Sequence, residues 1–285
     1  MSETRPARIP SLVKKYLMAG SGLVLVLFVL GHMAGNLQIF SGSPATINRY
    51  ARFLHSIPEL LWLVRSFLFS CVIVHIWMAV LLTLENRAAR PAQYAQAANI
   101  QTSFAARTMI WSGVIILAFI LFHLAQFTLE IVNPMYAWLE YPLDGHQVHD
   151  VYAMVILGFA DPAVAGFYIL AVWLLCTHLS HGFSSMFQSL GVRNEKWRHR
   201  LDQAASAVGL VLFAGFAAVP ASVQFSKYSD TQILPVQSIL QQVDSQKWDP
   251  ASPRPIGINY YDTPLAPAED DSTPRVLQIA VPAHP

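Results

Sequence analysis

The chain has 285 residues, 54% of them hydrophobic and only 12% charged, with a net charge of +1 and a mean hydropathy of +0.41. Soluble domains carry about 25% charged residues, so the composition argues against a soluble enzyme, and it excludes a disordered chain, which would need more charge and fewer apolar residues. The small net charge leaves no electrostatic footprint for nucleic acid. Cys71 and Cys176 each lie inside an apolar run, which excludes a disulfide framework and a zinc site.

Five apolar runs are long enough to cross about 30 Å of hydrocarbon as helices, the form that satisfies the backbone there. In chain order they are 16–38, 60–83, 108–131, 160–183 and 204–225. The first follows Lys14-Lys15 and is too long for the core of a signal peptide, with no small-residue cleavage site behind it, so it is expected to stay as a span. The fourth starts just after Asp161-Pro162, where proline suits a first helical turn. The predicted fold is an all-α bundle of five transmembrane helices over residues 1–225.

Lys and Arg in the connecting segments set the orientation. The N-terminal segment has Arg5, Arg8, Lys14 and Lys15; the second loop has Arg87, Arg90 and Arg107; the fourth has Arg193, Lys196, Arg198 and Arg200. Those eleven fall on one side, against Arg49 and Arg52 on the other. The N-terminus is therefore expected in the cytoplasm, in a multi-pass protein. Residues 226–285 hold half of the 18 prolines and no long apolar run. They read as an extended outer tail with a short helix near Ile233–Val243.

Ionisable groups inside a membrane are rare and point to function. Four successive spans each carry a histidine: His32, His75, His123 and His178. With a rise of 1.5 Å per residue, His32 and His123 lie roughly 7 Å to the outer side of the mid-plane, and His75 and His178 roughly 6–9 Å to the inner side. Two layers of two imidazoles suit two b-type haems, each held from above and below, with no open coordination position and hence electron transfer as their chemistry. Covalent c-type attachment is out, because C-x-x-C-H does not occur. Hydrogen-bonded histidines in a bundle, or a proton relay, are the competing readings; a relay does not require equal depths. Small residues at the non-ligating helices leave room for a porphyrin edge, or simply let helices pack. They are Gly20, Ser21, Gly22, Ser112 and Gly113 at the inner depth, and Ser66, Ser70, Ala163, Ala165 and Gly166 at the outer. His181, one turn after His178, is an alternative ligand or a group near a propionate.

The stretches LFVLGHMAGNLQIF (27–40), RFLHSIPELLWLVR (52–65), VIVHIWMAVLLTLENRAARP (72–91), ILAFILFHLAQFTL (116–129) and HLSHGFSSMFQSLG (178–191) resemble a known family. It is the five-span, di-haem cytochrome b membrane anchor of succinate dehydrogenase, also found in quinol:fumarate reductases of complex II type. The resemblance covers about 11–225; the tail departs from the family's compact ending. It implies that His32 and His123 bind an outer haem and His75 and His178 an inner one. It also implies a flavoprotein partner with FAD and an iron–sulfur partner, both docked on the cytoplasmic side of a bacterial inner membrane. Electrons would run from succinate through iron–sulfur clusters, the inner haem and the outer haem to a quinone of the respiratory chain, menaquinone by family type. A homo-oligomer of the whole complex fits the same picture.

In that family an acidic residue before span two is linked to quinone protonation. The corresponding position is His55, with Glu59 one turn away and Arg52 adjacent. Arg65 and Arg107, near span ends, are candidates for a haem propionate or for snorkelling to the interface. The chain has no flavin motif and no cysteine cluster, so it is not expected to oxidise succinate alone. Cytochromes b of hydrogenases, formate dehydrogenases or nitrate reductases often place two histidine ligands on one span, whereas here one ligand per span on four successive spans is expected. A histidine-relay transporter would carry internal repeats, and none stands out.

Overall fold

Five helices are long and apolar enough to cross a membrane, so the chain is a mostly helical, multi-pass membrane protein. The computed structural model describes residues 9–89, 104–189, 191, 194–231 and 233–260, with side chains from Thr108 onward in the helix that begins at Phe104. Helix α1 is Ser11–Asn36 and runs into a 3₁₀ turn, Leu37–Phe40; α2 is Pro44–His55 and α3 is Pro58–Ala88. Helix α4 is Phe104–Phe127, α5 is Val151–Phe159, α6 is Pro162–Ser189, α7 is Glu195–Tyr228 and α8 is Val236–Gln246. The spanning helices are α1, α3, α4, α6 and α7. α1 packs on α3, α4 on α6, and α6 on α7, with α1 also touching α6 and α7. Leu27, Leu63, Phe69, Trp111 and Leu210 stay exposed on their outward faces, as a lipid-facing surface requires.

Local chemistry explains where the helices differ from the expected spans. The third was expected to reach residue 131 but stops at Phe127. There Leu129 N–H turns back to Leu124 O, Ile131 N–H to Ala125 O, and Glu130 takes a positive φ of 55°. The fifth begins nine residues earlier than the expected 204, because Asn194 accepts from Trp197 N–H and starts the helix in its exposed, basic segment.

One end of the bundle carries a folded cap. Strands β1 (Leu139–Leu143) and β2 (His146–His149) form a hairpin across Asp144-Gly145, both at positive φ, the backbone that a tight hairpin turn demands. Strand β3 (Ile256–Gly257) pairs parallel to β1 and completes a three-stranded sheet, so the fold is not wholly helical. Nine-residue α5 is too short to span and is buried along almost its whole length. α8 lies against α5 and α7 through Val236, Ile239 and Val243. Residues 229–260 therefore fold back over the bundle and do not extend from it. The expected helix near Ile233–Val243 is α8, a few residues further on.

The cap is pinned at Asp150. Its carboxylate accepts from Asn48 Nδ2 and Ala153 N–H, both at 3.0 Å, and from the Tyr260 hydroxyl at 2.5 Å. Asn48 Oδ1 in turn accepts from Tyr152 N–H at 3.1 Å. Asp150 and Asn48 are both fully buried. Burial pushes the Asp150 carboxyl above its ordinary range, offset in part by Tyr260, Ala153, Asn48 and the nearby His149. A raised folded pKa means that folding favours the protonated acid. This contribution is complete below the ordinary carboxylate pKa and is lost as pH rises through the folded value. Asp150→Ala is expected to cost about 1–3 kcal/mol for each buried partner left unpaired. Asp150→Asn keeps an oxygen for Asn48 and Ala153 and an amide for the Tyr260 oxygen, so it should melt near wild type and lose the pH dependence. Thermal melts in detergent over the mildly acid range check both; an alanine variant as stable as wild type would remove Asp150 from this role.

Candidate functional site

The chain's helices run between a capped end and an open end. α1 and α4 finish at the cap and α3 and α6 start there, which fixes two depths for the histidines. His32 and His123 come together toward the cap, with ring centres 5.7 Å apart and planes at 82°. His75 and His178 come together toward the open end, 6.4 Å apart at 62°. All four are half-buried. The pairs are those that the depth estimate groups together, and it is the His178 ring, one turn before His181, that sits across from His75. Two imidazoles on opposite sides of one metal, with bonds of about 2 Å, hold their ring centres roughly 6 Å apart. Rotation about the metal–nitrogen axis leaves the angle between their planes free. Both pairs meet that spacing.

The partners of the ring nitrogens decide which nitrogen is available. His75 Nδ1 lies 3.2 Å from Met18 O and 3.5 Å from Ser21 Oγ. A carbonyl only accepts, so Nδ1 carries the proton. His178 Nδ1 lies 3.0 Å from Ser112 Oγ, and that hydroxyl already donates to Met109 O. It too accepts from Nδ1–H. Nε2 is left with its lone pair in both rings, the state a metal ligand needs. Among the described residues no group of three or more His, Cys, Asp and Glu gathers. Each pair therefore supplies two donors and suits a cofactor that brings its own equatorial ligands.

Space is provided at the same positions. A Cβ on Gly22 would lie 3.3 Å from the His75 ring, and one on Gly113 would lie 3.7 Å from the His178 ring. Ser21-Gly22 and Ser112-Gly113 thus occupy like places, a hydroxyl near Nδ1 and a glycine beside the ring, although a Cβ would crowd the ring only at Gly22. His32 follows Ser21 by eleven residues, and His123 follows Ser112 by eleven. Eleven residues are three helical turns, about 16 Å along one face. Phe28 stacks on His32 at 5.5 Å, and Phe119 lies 6.0 Å from His123, each four residues before its histidine. The pattern S-G-x5-F-x3-H therefore occurs on both α1 and α4, an internal repeat beyond the sequence expectations. Ser21 and Ser112 bring hydroxyls to the rings as well as small size.

The other expected site residues lie apart from the pairs. His55 ends α2, exposed, with Nδ1 2.9 Å from Ala51 O. Glu59 is exposed in the first turn of α3. Arg52 lines a shallow, open depression with Arg49, Phe53 and Asp144. Arg65 is half-buried with its guanidinium 5.4 Å over the Trp62 ring, a contact suited to the end of a span. The Arg107 side chain lies outside the described residues. At the open end Lys14 is buried in an ion pair with Glu85, while Lys196, Arg198 and Arg200 are exposed.

With ¹⁵N-labelled histidine in the purified chain, His75 and His178 are expected as Nδ1–H tautomers, and Ser112→Ala should release that preference in His178 alone. A His178 signal that ignores the substitution would show that the hydroxyl does not hold the ring. No family model, curated protein or solved structure matches the chain.

Proposed function

We propose that the chain is the membrane anchor and di-haem cytochrome b subunit of a succinate:quinone oxidoreductase in a bacterial cytoplasmic membrane. The observation that carries this reading is the matched pair of facing histidines at two depths, with the Nδ1 proton of His75 and His178 already committed. A b-type haem between each pair would supply one-electron transfer with no open coordination position. His32 and His123 would hold one group, His75 and His178 the other. Met18, Ser21 and Ser112 keep the Nδ1 protons in place, and Gly22 and Gly113 leave room for the rings.

The excess of Lys and Arg at the open end supports a cytoplasmic position for that end and an outer one for the cap. Exposed Lys196, Arg198 and Arg200 then face the side where the flavoprotein, with FAD, and the iron–sulfur protein would dock. Menaquinone is the proposed quinone. Arg52, His55 and Glu59 are exposed at the capped end. His55 and Glu59 are the candidates for the proton step of quinone chemistry, with Arg52 beside them as a fixed positive charge.

The S-G-x5-F-x3-H repeat answers the expectation that a transporter would show internal repetition. It favours that rival little, because what it repeats is a seat for one ring and a second ring three turns away. A cytochrome b of another membrane oxidoreductase shares the two-layer chemistry, and one paired histidine from each of four helices separates this chain from the arrangement with two ligands on one span.

Reduced-minus-oxidised spectra of the purified protein, with haem quantified per chain, test the proposal. Two b haems per chain are expected. His75→Ala and His178→Ala should each remove one and the same haem, and His32→Ala and His123→Ala the other. A colourless protein, or losses that cross the two pairs, would sink it.

A further inference from the structure

The two histidine layers are not supported in the same way. Near the open end the hydroxyls come from serines on adjacent helices. Near the cap His123 Nδ1 faces a phenol, Tyr168 Oη on α6, at 3.5 Å. The Tyr168 hydroxyl donates to Gln126 Oε1 at 2.8 Å, and Gln126 Nε2 donates to Gly158 O of α5 at 3.3 Å. Tyr168 and Gln126 are both buried. Phe119 and Phe159 meet the Tyr168 ring edge-on at 5.1 and 4.9 Å, so the phenol is fixed in direction. Glycine at 158 is required for the last link: a Cβ there would fall 2.6 Å from the Phe127 ring and 3.2 Å from Gln126 Nε2.

Tyr168 has one proton, and Gln126 takes it. Towards His123 the phenol oxygen can only accept. We propose that Tyr168 is a positioning residue for His123, accepting its Nδ1–H and so directing Nε2 to the metal, with the phenol aimed from the cap through Gln126 and Gly158. The 3.5 Å separation is at the long end for this bond. The inference about the metal rests on the di-haem reading; the one about the tautomer does not. A hydrogen bond at the far nitrogen makes an imidazole a more basic ligand and favours the oxidised metal.

Redox titration of the purified full-length chain tests it, comparing wild type with Tyr168→Phe, Gln126→Leu and Ser112→Ala. Tyr168→Phe is expected to raise the potential of one centre by a roughly tenfold change in its reduction equilibrium, about 59 mV for one electron, and to leave the second in place. Gln126→Leu should move the same centre, and Ser112→Ala the other. Centres that stay at their wild-type potentials in Tyr168→Phe and Gln126→Leu, or that move together, overturn the proposal. The ¹⁵N histidine spectrum of the same samples separates the two ideas. A wild type without haem ends the di-haem reading, and the positioning role then stands or falls on whether Tyr168→Phe releases the Nδ1–H tautomer of His123.

Discussion

An imidazole in an apolar interior has two nitrogens and no water for either. One carries a proton that needs an acceptor, and the other a lone pair that needs a donor or a metal. Everything around His75 and His178 follows from this constraint. Met18 offers a carbonyl at a point where α1 runs past α3, and Ser112 offers a hydroxyl whose own proton is spent on Met109 O. With Nδ1 satisfied, Nε2 of each ring keeps its lone pair, and the two rings of each layer face one another. A histidine that merely filled space would gain nothing from a neighbour that removes its donor and leaves its acceptor open.

The same constraint explains the spacing on α1 and α4. A helix that serves two layers must present its groups on one face, and eleven residues return to that face after three turns. α1 thus seats the His75 ring with Ser21-Gly22 and contributes His32 to the other layer; α4 seats the His178 ring with Ser112-Gly113 and contributes His123. Each helix of this kind is tied to both depths. A shift of one residue along α1 would misplace a ring seat and a histidine together. Two layers built on shared helices keep a fixed separation, which electron transfer between them would need and a loose bundle would not supply.

Much of this was legible in the sequence, and the unread parts have physical causes. The five spans and the depths of His32, His75, His123 and His178 follow from run length and helical rise, because lipid leaves the backbone one choice. The partners of the rings were hidden, because nearly every face of a spanning helix is apolar and periodicity says little about which face meets which. Ser21 reads equally well as a small packing residue until His75 is beside it. The cap is not among the elements expected from the sequence: α2 and the β1–β2 hairpin are short and lie between the apolar runs. What no local signal shows is that Asp150 starts α5 while binding Asn48, about a hundred residues earlier, and Tyr260, about a hundred residues later. The prolines of the tail suggested an extended chain, yet the burial of Val236, Ile239 and Val243 outweighs that tendency as far as residue 260.

One chain of polar contacts runs from the cap to a histidine of the bundle. Tyr260 and Asn48 fix Asp150; Asp150 starts α5; Gly158 near the end of α5 offers its carbonyl to Gln126; Gln126 holds Tyr168, which faces His123. Buried polar groups of this kind are costly when half-satisfied and rigid when complete. The open-end layer needs only residues of the spanning helices, so its geometry is local. The cap-end layer depends on contacts that span the chain from residue 48 to residue 260. A fold that needed the cap only to shield helix ends could have used any loops of adequate length. One that must also set the direction of a phenol beside His123 needs a rigid α5, and therefore needs its buried acid, its glycine and its returning C-terminal segment.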